Sequence, residues 1–178
     1  MLDRVMGVLR LDVNTFEEIE HDPAALTEAA IVVAVVALLS ALGRGLGADN
    51  FITAFISTLV WAFIGWFVWA AITYFVGTSL FQGQADMGEM LRVLGYAQAP
   101  SALGFLSFIP CVGAIIALVA WIWALAAAFV AVRQGLDIDN VKTAVTVIVG
   151  WLVVFVGSLL IGLFVGGVSL GLSALTGG

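Results

Sequence analysis

The stretch Gly88-Glu-Met-Leu-Arg-Val-Leu-Gly-Tyr-Ala-Gln-Ala-Pro-Ser-Ala-Leu-Gly-Phe-Leu-Ser-Phe-Ile-Pro-Cys111 sets Tyr96, Gln98 and Pro100 inside a hydrophobic span. Pro100 has no N–H, so in a helix the carbonyl of Tyr96 loses its partner, and the proline ring also crowds it. In lipid a freed carbonyl must find another donor. The expectation is a third transmembrane helix over about 89–108, kinked at Pro100, with Gly95, Tyr96, Gln98, Pro100 and Ser101 turned toward protein.

Composition supports a membrane setting. The chain of 178 residues is 63% hydrophobic and 10% charged, against about 25% charged in a soluble domain. Its mean hydropathy is +1.19. There is too little polar surface for water, so the chain reads as an integral membrane protein of one domain. A net charge of −6 argues against nucleic acid. The single cysteine, Cys111, excludes an intrachain disulfide and a thiolate cluster, and His21 is the single histidine, so no metal site is expected. No cleavable signal peptide is expected, because residues 1–22 are polar and acidic.

Working outward from the third span, four more spans follow from apolar length. On the N-terminal side lie spans over about 24–42 and 51–76; on the C-terminal side, about 110–132 and 141–168. The second is rich in aromatics from Phe51 to Phe75, read as lipid-facing bulk and interface anchoring rather than a pigment or quinone pocket. At about 39 Å it exceeds the hydrocarbon thickness, so it should tilt. Pro110 is placed to start the fourth helix, and Asp139 or Asn140 to cap the fifth. In the fifth, Ser158, Gly162 and Gly166 recur every four residues, which lets two backbones approach. That stripe serves either packing inside the bundle or an oligomer or partner interface.

Ahead of the spans, residues 1–22 form a cytoplasmic or interfacial segment. Leu2, Val5, Met6 and Leu9 share one helical face, giving an amphipathic helix at the membrane surface or, alternatively, a frayed terminus. Thr15 and Glu18 have capping-box spacing, which predicts a second short helix over 15–21. Asp22 and Pro23 then open the first span, whose one charge is Glu28. The fold expected is all-α, a polytopic bundle of five transmembrane helices with short amphipathic N-terminal helices, and residues 23–178 as the membrane domain.

With five spans, Arg4, Arg10, Arg92, Arg133 and Lys142 share one side and Arg44 stands alone on the other. The positive-inside rule then puts the N-terminus in the cytoplasm and the C-terminus outside. Mid-membrane ionisable groups, which active transport and proton relays use, are missing from the spans. Phosphate-loop, nucleophile-elbow and His-rich metal patterns are missing too, so neither catalytic residues nor a cofactor is expected.

Thr15-Phe-Glu-Glu-Ile19, Asp22-Pro23, five spans and Leu91-Arg-Val-Leu-Gly-Tyr-Ala-Gln-Ala-Pro100 together resemble the bacterial branch of the YIP domain family, the Ypt/Rab-interacting proteins. The resemblance covers nearly the whole chain. It implies a five-helix membrane domain with a cytosolic N-terminus, in a bacterial inner membrane. Eukaryotic relatives bind Rab-type GTPases and one another. Their Asp-Leu-Tyr-Gly-Pro motif is absent here, and their Tyr-Gly-Tyr-Ser reads Leu94-Gly-Tyr-Ala97, so GTPase binding is not carried over. The function expected is a non-enzymatic scaffold that binds another membrane protein or itself, or organises the bilayer. The alternatives are a small permease or channel for an uncharged or lipidic solute, and an accessory subunit of a larger membrane complex. A continuous water-lined cavity around Gln98 would favour the permease, and a closed, close-packed bundle the scaffold.

Overall fold

The computed structural model describes residues 1–46 and 48–176; the side chains of Ser107, Phe108 and residues 165–176 lie outside that description. The elements are α1 (Leu2–Leu9), α2 (Val13–His21), α3 (Ala25–Leu46), α4 (Phe51–Phe81), α5 (Met87–Tyr96), a 3₁₀ helix (Ala99–Phe108), α6 (Val112–Gly135) and α7 (Asn140–Thr176). No strand occurs among the described residues. Among the described residues four helices, α3, α4, α6 and α7, are long and apolar enough to cross a membrane. The protein is an all-α, multi-pass membrane protein.

The third span departs from expectation. It is not one kinked α-helix over 89–108. The α-helix stops at Tyr96, and the chain resumes from Ala99 as a 3₁₀ helix with Pro100 in its first turn. The cause is local. Pro100 cannot close the α-helical bond to Tyr96, and it disfavours α geometry at Ala99. Gln98 N donates to Gly95 O at 3.3 Å and Ser101 N to Gln98 O at 2.8 Å, so three-residue bonds take over at the proline.

This tighter helix keeps pace with α3. A Cβ on Gly95 would meet Ala29 Cβ at 2.8 Å; one on Gly43 would meet the Phe105 carbonyl at 2.6 Å, and one on Gly104 would meet Ser40 Oγ at 3.4 Å. Residues 95–105 therefore lie along residues 29–43. Fourteen α-helical steps cover about 21 Å; the ten steps from Gly95 to Phe105, six of them in the 3₁₀ helix, cover about 18 Å. The longer rise per residue of the 3₁₀ part lets the shorter segment nearly keep pace with α3, and i→i+3 bonds still satisfy the backbone in lipid.

Other boundaries follow their caps. α2 starts at Val13, not 15, because Asp12 is its cap: Asn14 N donates to Asp12 Oδ1 at 3.3 Å, and the Thr15 hydroxyl donates to Asp12 Oδ2 at 2.8 Å. The Thr15 hydroxyl is thus occupied, and the expected capping box at Thr15 is replaced. A capping box forms instead at Asp86 and Glu89, with bonds of 2.8 and 2.6 Å, and opens α5 at Met87. α4 runs past Val76 to Phe81, since Gly77 ends nothing; a Cβ there would meet Leu136 Cδ1 at 2.3 Å. Pro110 does not start α6. Cys111, at φ 63°, turns the chain with Val112 N donating to Pro110 O at 2.8 Å, and α6 begins at Val112. Asp139 caps α7 through the N–H groups of Val141 and Lys142 at 2.9 and 3.1 Å.

The core sits toward the end of the bundle that carries α1 and α2. Val8, Phe16 and Ile19 are fully buried in one cluster with Met90, Leu94, Tyr96, Val132 and Leu136. Burying each large side chain contributes about 1.5–3 kcal/mol. Residues 1–22 are therefore packed into the same core as the spans, not frayed.

Candidate functional site

Two constellations meet at the break in the third segment, one on each side of it. The first joins the N-terminal helices to the bundle. Arg4 Nη2 donates to Glu18 Oε1 at 2.8 Å and to Asp22 Oδ2 at 2.7 Å, and Arg4 Nη1 donates to Glu28 Oε2 at 3.2 Å. Its side chain is 16% exposed. Glu28 also accepts the hydroxyl of Tyr96. One arginine thus gathers carboxylates from α2, the α2–α3 link and α3, and the last of these holds the residue that ends α5. The bonds to Glu18 and then Asp22 raise the Arg4 pKa above its ordinary value. The Asp22 carboxyl is held below its usual value, chiefly by its bond from Arg4. Beside them, Arg92 donates through Nε to the Glu20 carbonyl at 3.1 Å. Burial pushes the Glu20 carboxyl up to about 7, against the opposing pull of His21. Two indoles complete the closure, Trp66 donating to the Leu91 carbonyl and Trp123 to the Leu9 carbonyl, both at 3.1 Å.

The second constellation is a pair of adjoining chambers. In a 3₁₀ helix residues three apart eclipse one another. Ser101 and Gly104 therefore form one ridge, and Gln98, the residue before the helix, continues it. Gln98 and Ser101 face both chambers, and Trp61 and Ala62 of α4 complete the boundary between them. Each chamber is about 270 Å³. One lies among α3, α4 and the 3₁₀ helix and reaches Ser40, Thr58 and Arg44. The other lies among α4, the 3₁₀ helix, α6 and α7 and is walled by Trp61, Trp66, Trp69, Trp121 and Trp151. Trp69 Nε1 is buried without a hydrogen-bond partner and lies over Gly150, where a Cβ would meet it at 3.1 Å.

The residues singled out in the third segment are thus divided. Gly95 is buried against Ala29 and Trp66, and Tyr96 is fully buried on Glu28. Gln98 and Ser101 line chambers, and Pro100 is buried at the start of the 3₁₀ helix. The stripe on α7 behaves otherwise. Ser158 and Gly162 are exposed, and a Cβ on Gly162 would meet nothing within 4 Å. Packing inside the bundle does not occur at these two positions. Trp121 and Trp151, edge to face with centroids 5.8 Å apart, stand between α6 and α7. Gly166 lies outside the described side chains.

Sequence reasoning missed Arg4 and Glu28 as partners. The signal was Glu28 itself, the one charge in an apolar span, which must be paired to be kept there. Trp66 was grouped with lipid-facing aromatics, yet it is 8% exposed and hydrogen-bonded.

Fold and site define a multi-pass helical membrane protein with an ionically clamped N-terminal segment and a 3₁₀ segment threaded through its bundle. A family model described as the Yip1 domain matches residues 6–172. The chain belongs to the Yip1 domain family. No curated protein and no solved structure matches it.

Proposed function

We propose that this Yip1-family protein is a non-enzymatic scaffold of the plasma (inner) membrane that holds a partner membrane protein, or a second copy of itself, through α7. One observation carries the reading. α7 is bare where α1 and α2 are sealed: Leu159, Leu160, Leu163 and Phe164 are exposed, and Gly157 and Gly162 have no neighbour. Small residues at i and i+4 on such a helix suit close backbone approach by another helix. Ser158, Gly162 and Gly166 are the proposed contact.

The third segment supports a fifth crossing, because residues 95–105 run beside residues 29–43 of α3. The N-terminal segment 1–22 is then cytoplasmic or interfacial, 23–178 forms the membrane domain, and the C-terminus is extracytoplasmic. The lone Arg44 on the outer side agrees with the positive-inside rule. A larger membrane complex, with this chain as an accessory subunit, is one form the partner can take.

The test is the mass of the full chain in lipid nanodiscs, with and without Gly162→Leu. A dimer or a stoichiometric complex that Gly162→Leu dissociates is the expected result. A monomer in both cases, with no stoichiometric partner, overturns the reading. A second reading, a permease for an uncharged or lipidic solute, draws support from the chambers around Gln98; solute flux into proteoliposomes that Gln98→Leu abolishes would establish it.

A further inference from the structure

The two chambers differ in chemistry. The one reaching Arg44 carries Ser40, Thr58, Ser101 and Gln98. The other is almost wholly tryptophan and small apolar side chains, and its rim residues Trp61 and Trp121 are 49% and 44% exposed, so it opens on the outside of the bundle where lipid lies. Among the described residues, the side chains of Gln98, Ser101 and Ser40 make no hydrogen bond and Arg44 makes no ion pair. No acidic residue lines either chamber. Polar side chains facing a cavity at membrane depth mark a pathway or a ligand, because lipid tails cannot satisfy them.

We infer that the two adjoining chambers, which share Trp61, Ala62, Gln98 and Ser101 as their common wall, together bind one molecule of anionic phospholipid that parts this wall. Its phosphate lies beside Arg44, whose planar fork of donors matches phosphate oxygens. Its ester carbonyls accept from Ser40, Ser101 and Gln98, which are donors without protein partners. One acyl chain passes Gln98 into the tryptophan chamber and leaves the bundle beneath Trp121. Together, the two chambers of about 270 Å³ each fall in the range of about 300–1,000 Å³ usual for ligand sites. A small polar solute would leave the tryptophan chamber unused, and a plain hydrocarbon would leave the Arg44 chamber unused. The inference does not depend on the partner-binding role of α7.

The experiment uses the full chain in detergent and phosphatidylglycerol with a diazirine at the end of one acyl chain. After photolysis, labelled peptides are mapped by mass spectrometry. Label is expected on the Trp61–Trp69 and Trp121–Leu125 stretches. Arg44→Gln, an exposed position, should reduce that label about tenfold, the factor that 1.4 kcal/mol of lost head-group interaction supplies. Ala124→Trp, which fills the chamber, should remove it, and diacylglycerol with the same tail should label there poorly. Label spread equally over the exposed Leu159–Phe164 face and unchanged by Arg44→Gln would overturn the inference. So would complete loss of label on adding inorganic phosphate at equal concentration, since a head group alone would then suffice.

Discussion

Where α1 and α2 lie, Val8, Phe16 and Ile19 are sealed under α5 and α6, and Arg4 ties three carboxylates together over them. Midway along α7, Leu159, Leu163 and Phe164 are 52, 65 and 73% exposed, and two glycines face open space. Both regions are apolar helix. They differ in where the chain has placed its polar residues. Charges and caps accumulate at the closed end, where Arg4, Glu18, Asp22, Glu28 and Arg92 find partners in the same chain. Residues 157–164 of α7 carry no charged side chain, so lipid or another helix must cover that face. Small residues at helical spacing do different work in the two places. Gly95 admits α3 within the molecule; Gly162 admits nothing within it.

Breaking the closed end should have the largest effect. Arg4→Ala leaves Glu18, Asp22 and Glu28 without their common cation. Arg4 is mostly covered, but Glu18, Asp22 and Glu28 are 61, 33 and 31% exposed, so the loss is that of a partly screened network rather than of a buried pair. The expected outcome is a loss of thermal stability in detergent, with early proteolysis of residues 1–22. Unchanged melting and protection would make the cluster decorative.

Next is a pH effect at Glu20. Its folded carboxyl titrates at about 7, above the ordinary value of 4.5. A raised carboxyl pKa favours the folded state when protonated, so stability from this group is present below about 4.5 and is lost as pH rises through about 7. The swing is on the order of 2–3 kcal/mol. Asp22, whose carboxyl is held low, loses its contribution only below that window. Thermal melts should therefore show greater stability near pH 5 than near pH 8, and Glu20→Gln should flatten the profile. A Glu20→Gln variant with the same slope would assign the effect elsewhere.

A smaller loss is expected at Gly95→Ala, where the added Cβ would meet Ala29 Cβ at 2.8 Å and Trp66 at 3.2 Å. Overpacking of this kind costs about 1–2 kcal/mol, toward the low end of its usual range. The smallest is Gly162→Leu. With no neighbour to displace, it should leave the melting of the isolated chain unchanged and alter only assembly. A destabilised monomer would mean that α7 packs on its own bundle, and the contrast between the two regions would fail.

Much of this was legible beforehand, and the reasons are physical. Apolar length and the scarcity of charge identify α3, α4, α6 and α7, because a bilayer demands about twenty apolar residues from any helix that crosses it. Gly95, Tyr96 and Pro100 stood out because polar and helix-breaking residues are costly at that depth. What Pro100 does was not legible. A kinked α-helix and a 3₁₀ helix both satisfy the backbone, and the choice depends on how far the chain must travel beside α3. That requirement appears only in contacts such as Gly43 on the Phe105 carbonyl. The Arg4 cluster was hidden for a similar reason: its members are 14, 18 and 24 residues apart and meet only once α1 and α2 fold back on α3. The cap of α2 was misplaced by preferring Thr15 over Asp12, although the aspartate begins the helix and uses the threonine hydroxyl itself.

The central claim is that the bare face of α7 is made to meet another helix. The direct measurement is disulfide trapping in native membranes. Cys111 is the only cysteine and is exposed, so Cys111→Ser clears the background and Ser158→Cys places one thiol on the stripe. The account predicts rapid oxidative crosslinking through position 158, to a second copy or to one defined partner, and its loss when Gly162→Leu is added. The same thiol at Ile148, also exposed but off the stripe, should crosslink poorly. Equal crosslinking at 148 and 158, unaffected by Gly162→Leu, would contradict the claim and return the stripe to lipid.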